Sequence, residues 1–331
     1  MALLRGHLPA GYGLWRLSHV LLALAALLLA LDHILAEGTY SAAAPLSLFW
    51  PLLTLGAVLI WLLRHLIVWL SSPWRVEEVR QIADRLWLLK IERSRGLSFA
   101  AGQFAWLRFG QSFSDHPFSI ASTPHDGHLA FIIQEAGDFT SKIGTIAIGS
   151  PVTVDGPHGS FTLGNVPDSD TLLLISGGVG VAPIIAILAD VKEHGGYETV
   201  RVIHCARRRS ALFDSQLLRS TCPSADITML ADDATEGDTT IGQGPLNEKH
   251  LRNLLMGVDV ANVNILMCGP SGMMKFATST LHALGVPLER IRYERFSYGN
   301  GPVSAKDRRI LSKFLLISLA ELALVLGFAL R

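Results

Sequence analysis

Cysteine is scarce in this chain. Only Cys205, Cys222 and Cys268 occur, and no two of them form a CxxC pair. A four-cysteine iron–sulfur or zinc site from this chain alone is therefore excluded. The odd count also argues against a disulfide framework. Net charge is missing as well, because 28 basic and 28 acidic residues cancel. With no basic excess, nothing suggests nucleic acid as a partner. Charged residues make up only 17% of the 331, while half are hydrophobic. That balance is too apolar for an ordinary soluble protein and points to membrane segments. The length accommodates two soluble domains, or one plus membrane spans.

Three apolar runs follow from that balance: Leu14–Leu35, Pro45–Leu70 and Ile310–Leu330. Each is long enough to cross a hydrocarbon core of ~30 Å as a helix. The first is too long for a cleaved signal peptide, and a second run follows at once. Arg5 and Arg16 precede or open the first run, Arg64 and Arg75 close the second, and Lys306, Arg308, Arg309 and Lys313 open the third. The positive-inside rule then places the long middle region in the cytoplasm of a multi-pass cell-membrane protein. For the third run, a buried soluble helix is the alternative. His19 and His33 lie inside or at the edge of the first run, 14 positions apart. That is just under four turns, so both project from nearly one face, ~21 Å apart along the axis. Such a pair suits axial ligation of b-type haem, one near each membrane face. The alternative is one histidine hydrogen-bonded in a helix bundle and one at the interface.

Between the runs the pattern changes twice. "ADRLWLLKIER" (Ala83–Arg93), "FAWLRF" (Phe104–Phe109), "HLAFIIQ" (His128–Gln134) and "SPVTVDGP" (Ser150–Pro157) are short alternating segments broken by Gly, Pro and Asp. This spacing predicts a small antiparallel barrel. Further on, apolar strands alternate with helical stretches: "TLLLISGG", "PIIAILADVKEH", "TVRVIHCA", "SQLLRS", "NVNILMCGP", "GMMKFATSTLHALG" and "IRYERF". That predicts a doubly wound parallel sheet. The run Gly177-Gly178-Val179-Gly180-Val181-Ala182-Pro183 follows an apolar strand and opens a helix, with Pro183 expected at the first helical position. Glycines there let backbone approach a pyrophosphate; a tight turn with no ligand is the competing reading. "CGP" at Cys268–Pro270 stands at a second strand end, where an open sheet binds its ligands.

Seven segments in order carry a resemblance: "GQF" (Gly102–Phe104), "HPFSIAS" (His116–Ser122), "GDFTSKI" (Gly137–Ile143), "DGPHGSF" (Asp155–Phe161), "GGVGVAP", "CGP" and "YERF" (Tyr293–Phe296). The set resembles the ferredoxin–NADP reductase superfamily, and specifically its ferric reductase/NADPH oxidase branch. The resemblance implies transmembrane helices joined to an antiparallel β-barrel FAD domain and a doubly wound parallel α/β NADP domain. The expected boundaries are 1–72 for two spans (14–35 and 45–70), 73–165 for the FAD domain, 166–301 for the nicotinamide domain and 302–331 for a last span. It implies that Pro117 and Phe118 lie against the flavin and that Ser119 contacts its reactive edge. His116 and Ser122 are placed with them at the cofactor. Gly137, Thr140 and Ser141 are expected to form the FAD pyrophosphate loop at a helix N-terminus. Gly178, Gly180 and Pro183 would form the dinucleotide loop, Cys268 and Gly269 would flank the nicotinamide, and Phe296 would cover the flavin. Arg207, Arg208 and Arg209 follow the second strand of the sheet, where an adenosine ribose would lie. Guanidinium pairs bidentately with a 2′-phosphate, and no acidic residue stands at that strand end in the sequence, which favours NADPH.

The family has six spans and takes its other haem histidines from a span not represented here. A second copy or another subunit would have to supply them. The expected activity is transfer from NADPH through FAD, with haem b where present, to ferric iron or dioxygen. A haem-free, membrane-tethered NAD(P)H:acceptor reductase and a non-catalytic partner subunit are the alternatives.

Overall fold

The computed structural model describes residues 12–38, 41, 44–70, 74–92, 97–110, 115–235 and 238–296. The third apolar run, Ile310–Leu330, lies outside them. Helix α1 (Tyr12–Glu37) and helix α2 (Ala44–Leu70) cover the first two runs. Stretches Ser18–Glu37 and Pro45–Leu63 are long and apolar enough to cross a membrane by length and composition, and neither is buried within the protein. Their side chains reach outward, as Leu29 and Ile60 do at 68% and 71% exposure.

The antiparallel sheet contains β1 (Trp74–Ala83), β2 (Leu86–Glu92), β3 (Phe104–Phe109), β4 (His116–Ser119), β5 (His128–Gln134) and β6 (Pro151–His158). Their order is β4-β3-β6-β1-β2-β5. The two edge strands meet just beyond β4, where Ile120 bridges Phe131 and the Ala121 N–H donates to the Ala130 carbonyl at 2.7 Å. This seam closes the sheet into the expected small barrel. Leu89, Ile91, Leu107, Leu129, Phe131 and Ile133 fill its interior. The segment expected as one strand over Ala83–Arg93 is instead the end of a hairpin. Strand β1, which the sequence pattern did not suggest, pairs with β2 around a turn at Asp84 and Arg85. Its pattern WRVEEVRQIA buries only Val76 fully, so no apolar alternation marks it.

Strand β5 is buried on both faces, unusual for a barrel strand and legible in its unbroken apolar run LAFII. Leu129, Phe131 and Ile133 point into the barrel, while Ala130 and Ile132 join a second core with residues of the parallel-sheet half such as Ile184 and Ile187. The barrel and the parallel sheet therefore share buried apolar surface.

The parallel sheet runs β10-β9-β8-β7-β11-β12, built from β7 (Thr171–Gly177), β8 (Thr199–Ala206), β9 (Asp226–Ala231), β10 (Gly242–Gln243), β11 (Val263–Pro270) and β12 (Ile291–Phe296). Helices α3 (Val181–His194) and α4 (Ser215–Thr221) cover one face, with Leu172, Leu174 and Val202 beneath them. Helices α5 (Glu248–Leu254) and α6 (Ser271–Ala283) cover the other, over Leu173, Ile175 and Ile265. This is the doubly wound sheet expected from the sequence, enlarged by β9, β10 and α5. Chain order reverses between β7 and β11, and the crevice of such a sheet lies at that reversal.

Candidate functional site

Strand β4 lies at a sheet edge and pairs only with β3, so Pro117 is tolerated there without losing a ladder hydrogen bond. The pleat puts Pro117 and Ser119 on one side of the strand and His116 and Phe118 on the other. Pro117 is exposed and Ser119 is buried. The Ser119 Oγ has no hydrogen-bond partner, and neither does the nearby buried Thr123 Oγ1. A buried hydroxyl without a partner costs on the order of 1–3 kcal/mol, so both positions ask for a ligand. On the opposite side the His116 ring stacks on Phe139 with centroids 4.1 Å apart at 11°. Phe139 in turn lies 5.0 Å from Phe109. Phe139 was not singled out in the sequence, although it sits inside the quoted GDFTSKI segment.

Two expected flavin contacts have other duties. The Ser122 Oγ accepts the Ala130 N–H at 3.0 Å, extending the barrel seam. The Thr140 Oγ1 accepts from the Ala136 and Gly137 N–H groups at 2.8 and 2.9 Å, so it shapes its own loop. The loop from Gly137 to Ser141 also opens a short helix, a 3₁₀ helix of six residues (Thr140–Thr145).

The second half of the crevice is a backbone fit. Gly178 has φ +57°, the left-handed conformation that favours glycine, and begins a 3₁₀ turn (Gly178–Gly180) before α3. Pro183 is therefore the third residue of α3 rather than the first. It still falls within the first turn, whose N–H groups have no intrahelical acceptor. A Cβ at Gly180 would overlap the Cys268 carbonyl and stand 3.1 Å from the Gly269 nitrogen. A Cβ at Gly269 would stand 3.1 Å from the Gly177 nitrogen. The two loops at the switch point thus touch backbone to backbone.

Cys268 is fully buried, opposite Ser176 on one side and Glu294 on the other. Burial, reinforced by the Glu294 carboxylate, pushes its thiol well above the usual range. The thiol is thus neutral near pH 7 and no nucleophile. Glu294 was missed in the sequence reading. Burial pushes its carboxyl up to about 7, and its Oε2 has no hydrogen-bond partner. The one available signal was an acid in the otherwise expected strand "IRYERF". A raised carboxyl binds its proton more tightly folded than unfolded, so its contribution to stability falls as pH rises from about 4.5 through about 7. Glu294→Gln is expected to flatten that decline. Melting temperatures of both proteins across the window check it; parallel curves would refute the assignment. Phe296 aligns with Pro270 in the β11–β12 register, and its side chain lies outside the described residues.

The arginines after β8 are not a bare basic cluster. Arg208 Nη2 pairs with Asp84 Oδ2 at 2.6 Å, and Arg209 Nη1 with Asp238 Oδ2 at 2.6 Å. Hydrogen bonds from Thr240 and Ile241 hold the Asp238 carboxyl down at about 2. The Arg209 N–H donates to Asp233 Oδ1 at 2.8 Å. The expectation of no acid at this strand end is thus overturned in space: Asp84 comes from the barrel, and Asp233 and Asp238 from beyond β9. His204 anchors the same loop. It is buried, accepts the Phe213 N–H on Nε2 at 3.2 Å and so donates from Nδ1 to Ser176 Oγ at 2.8 Å. Burial lowers its pKa to about 4, keeping the ring neutral.

His19 and His33 lie on α1, both exposed. Among the described residues no group of three or more His, Cys, Asp or Glu could hold a metal ion. One helix offers two haem ligands and no second pair opposite, so the described residues do not complete a bis-histidine haem site.

Comparison with known proteins agrees with the geometry. Residues 72–182 match the family model described as FAD-binding domain, and residues 174–279 match Oxidoreductase NAD-binding domain. The reductase component of propane 2-monooxygenase from Rhodococcus jostii (strain RHA1) is 28% identical over 236 residues, 67% of this chain and 62% of that protein. The electron transfer component of toluate 1,2-dioxygenase from Pseudomonas putida is 25% identical over 227 residues, 67% of this chain and 66% of that protein. The chain thus spans less than two thirds of the length of these curated relatives. A ferredoxin NADP+ reductase from Neisseria gonorrhoeae, solved with bound FAD and NADP, superposes with a TM-score of 0.59 at 20% identity, covering 68% of this chain and 98% of that one. Residues 72–279 are thus similar to an FAD-binding domain followed by an oxidoreductase NAD-binding domain, and the barrel and doubly wound sheet have the fold of the solved ferredoxin NADP+ reductase.

Proposed function

We propose that this chain is a membrane-attached flavoprotein reductase that takes hydride from NAD(P)H and delivers electrons to an acceptor. Buried polar groups without partners carry the reading: Ser119 Oγ at the end of the edge strand β4 and Glu294 Oε2 on the edge strand β12. An FAD and a nicotinamide meeting between the two sheets would give each a partner, so the residues present fit these cofactors. Bound FAD would supply the conversion of two-electron to one-electron transfer.

The chain's own groups orient and tune. Ser119, beside Pro117, would donate its hydroxyl hydrogen to the reacting edge of a bound flavin, and the stacked His116 and Phe139 brace the other side of β4. Thr140 and Ser141 hold the Gly137 loop in shape. The N–H groups around Gly178 and Gly180, at the start of α3, would hold the dinucleotide pyrophosphate. Cys268, neutral and buried, would pack beside a bound nicotinamide with Gly269 and help exclude water. Glu294, with its carboxyl lifted by burial to about 7, can exchange a proton near neutral pH.

Helices α1 and α2 would hold the reductase to the cytoplasmic face of the cell membrane, with ferric iron or dioxygen as acceptor. Haem b at His19 and His33 would need a further pair of ligands from a second copy or another subunit, and no step here depends on it. A second reading, delivery to a separate protein acceptor, is favoured by the relatives, which are themselves named as a reductase component and an electron transfer component. An absorption spectrum of detergent-extracted protein, before and after anaerobic NADPH, tests the reading. Flavin bands that bleach without a Soret band are expected for this chain alone. A Soret band that sharpens on reduction would restore haem. An absence of flavin would sink the proposal.

A further inference from the structure

The arginines after β8 sit where the ribose of a dinucleotide meets a doubly wound sheet. Arg209 is committed: Asp238, only 11% exposed at its side chain, holds its guanidinium, and Asp233 holds its backbone N–H. Arg207 is exposed. Arg208 is held by a carboxylate from the other domain. Asp84 stands on the β1–β2 turn of the barrel, and its own N–H donates to the Ser210 carbonyl at 2.7 Å. The turn is rigid. Arg85 has φ +56°, its carbonyl accepts the Glu135 N–H at 2.9 Å, and its Nη2 donates to the Glu135 carbonyl at 2.8 Å. The carboxylate is thus fixed in place beside the arginine loop.

We propose that Asp84 is a specificity-determining residue, tuning the choice between NADPH and NADH through its ion pair with Arg208; this rests on the reductase reading above. The side chains of the pair are 33% and 56% exposed, and exposed pairs of this kind are weak and screened by salt. A 2′-phosphate offers Arg208 a doubly charged, bidentate partner and displaces Asp84. NADPH must therefore break the Arg208–Asp84 pair to engage Arg208, a cost that NADH, with no 2′-phosphate, does not meet. Arg207 and an unpaired Arg208 would select strongly for NADPH; Asp84 moderates that selection.

The test is steady-state kinetics of the full chain with NADPH and NADH, for wild type, Asp84→Asn, Arg208→Ala and the double variant. Asp84→Asn keeps the N–H that binds Ser210. It is expected to lower the ratio of KM for NADPH to KM for NADH about fivefold at low salt, the size of one exposed ion pair. The shift should shrink as salt rises. Arg208→Ala should raise the ratio, and adding Asp84→Asn to it should then change nothing. An unmoved ratio, an equal change for both dinucleotides, or the same Asp84→Asn effect without Arg208 overturns the proposal. Should Asp84→Asn fail to fold, Arg208→Lys takes its place: it keeps the charge but loses the bidentate fork, and an unmoved ratio there overturns the proposal equally. If wild type oxidises neither dinucleotide, the reductase reading itself falls; if it oxidises both and the ratio ignores Asp84, only this inference does.

Discussion

Gly180→Ala is expected to cut reduction of the flavin by NAD(P)H at least about 10²-fold, a loss typical when reacting groups are displaced by about an ångström. The reason is steric, not conformational. Gly180 has φ −58° and ψ −9°, which alanine adopts freely. Its missing Cβ, however, would overlap the Cys268 carbonyl and come within 2.6 Å of that carbonyl's carbon. Both sides of the clash are backbone, so no side chain can rotate away. The start of α3 must move from the end of β11, opening the crevice where the pyrophosphate and nicotinamide would lie. Overpacking of this kind also costs about 1–3 kcal/mol of stability. The cluster inside the barrel contains no residue of α3 or β11, so flavin should remain bound and be reducible by dithionite. Gly178→Ala is the control. Despite its φ of +57°, its Cβ would meet only Gln134 Oε1 at 3.8 Å, so the cost is about 1–2 kcal/mol of backbone strain and a smaller kinetic loss. Stopped-flow reduction of both variants checks the pair; wild-type rates in Gly180→Ala would show that the loops do not form the dinucleotide site.

Ser119→Ala is expected to act in opposite directions on stability and on rate. Without cofactor, the buried Oγ has no partner, and removing it should raise the stability of the apoprotein by about 1 kcal/mol. With flavin bound, the proposed role of the same hydroxyl is to donate to the reacting edge. Removal of one such preorganised donor slows a reaction about 10²-fold. Urea melts of the apoprotein and single-turnover reduction of the holoprotein measure the two effects separately. A variant that is less stable without flavin, yet reduced at the normal rate, would make Ser119 an ordinary core residue.

The two-layer plan was legible in the sequence because its strands are written in contrasting patterns. Short alternating segments between turns gave the barrel, and wholly apolar strands before helices gave the parallel sheet. Strand β1 escaped because its two faces carry Arg75, Glu77, Glu78 and Arg80, and β9 because DITMLA is short and flanked by Asp residues. The glycine loops were legible for the reason that makes them necessary: backbone must touch backbone. What the sequence hid were relations across the fold. Asp84 lies more than a hundred residues from Arg208 and meets it only because the barrel turn docks on the sheet. Glu294 looks like one acid among 28 until burial lifts its pKa. Ser122 and Thr140 also accept backbone N–H groups, contacts that the sequence did not show.

Anaerobic titration of the purified full chain, followed by flavin absorbance, tests the central claim most directly. Reductase function requires that FAD co-purify with the protein and that one equivalent of NADPH or NADH bleach it fully. A protein that binds FAD but stays oxidised in excess of both dinucleotides would contradict the account.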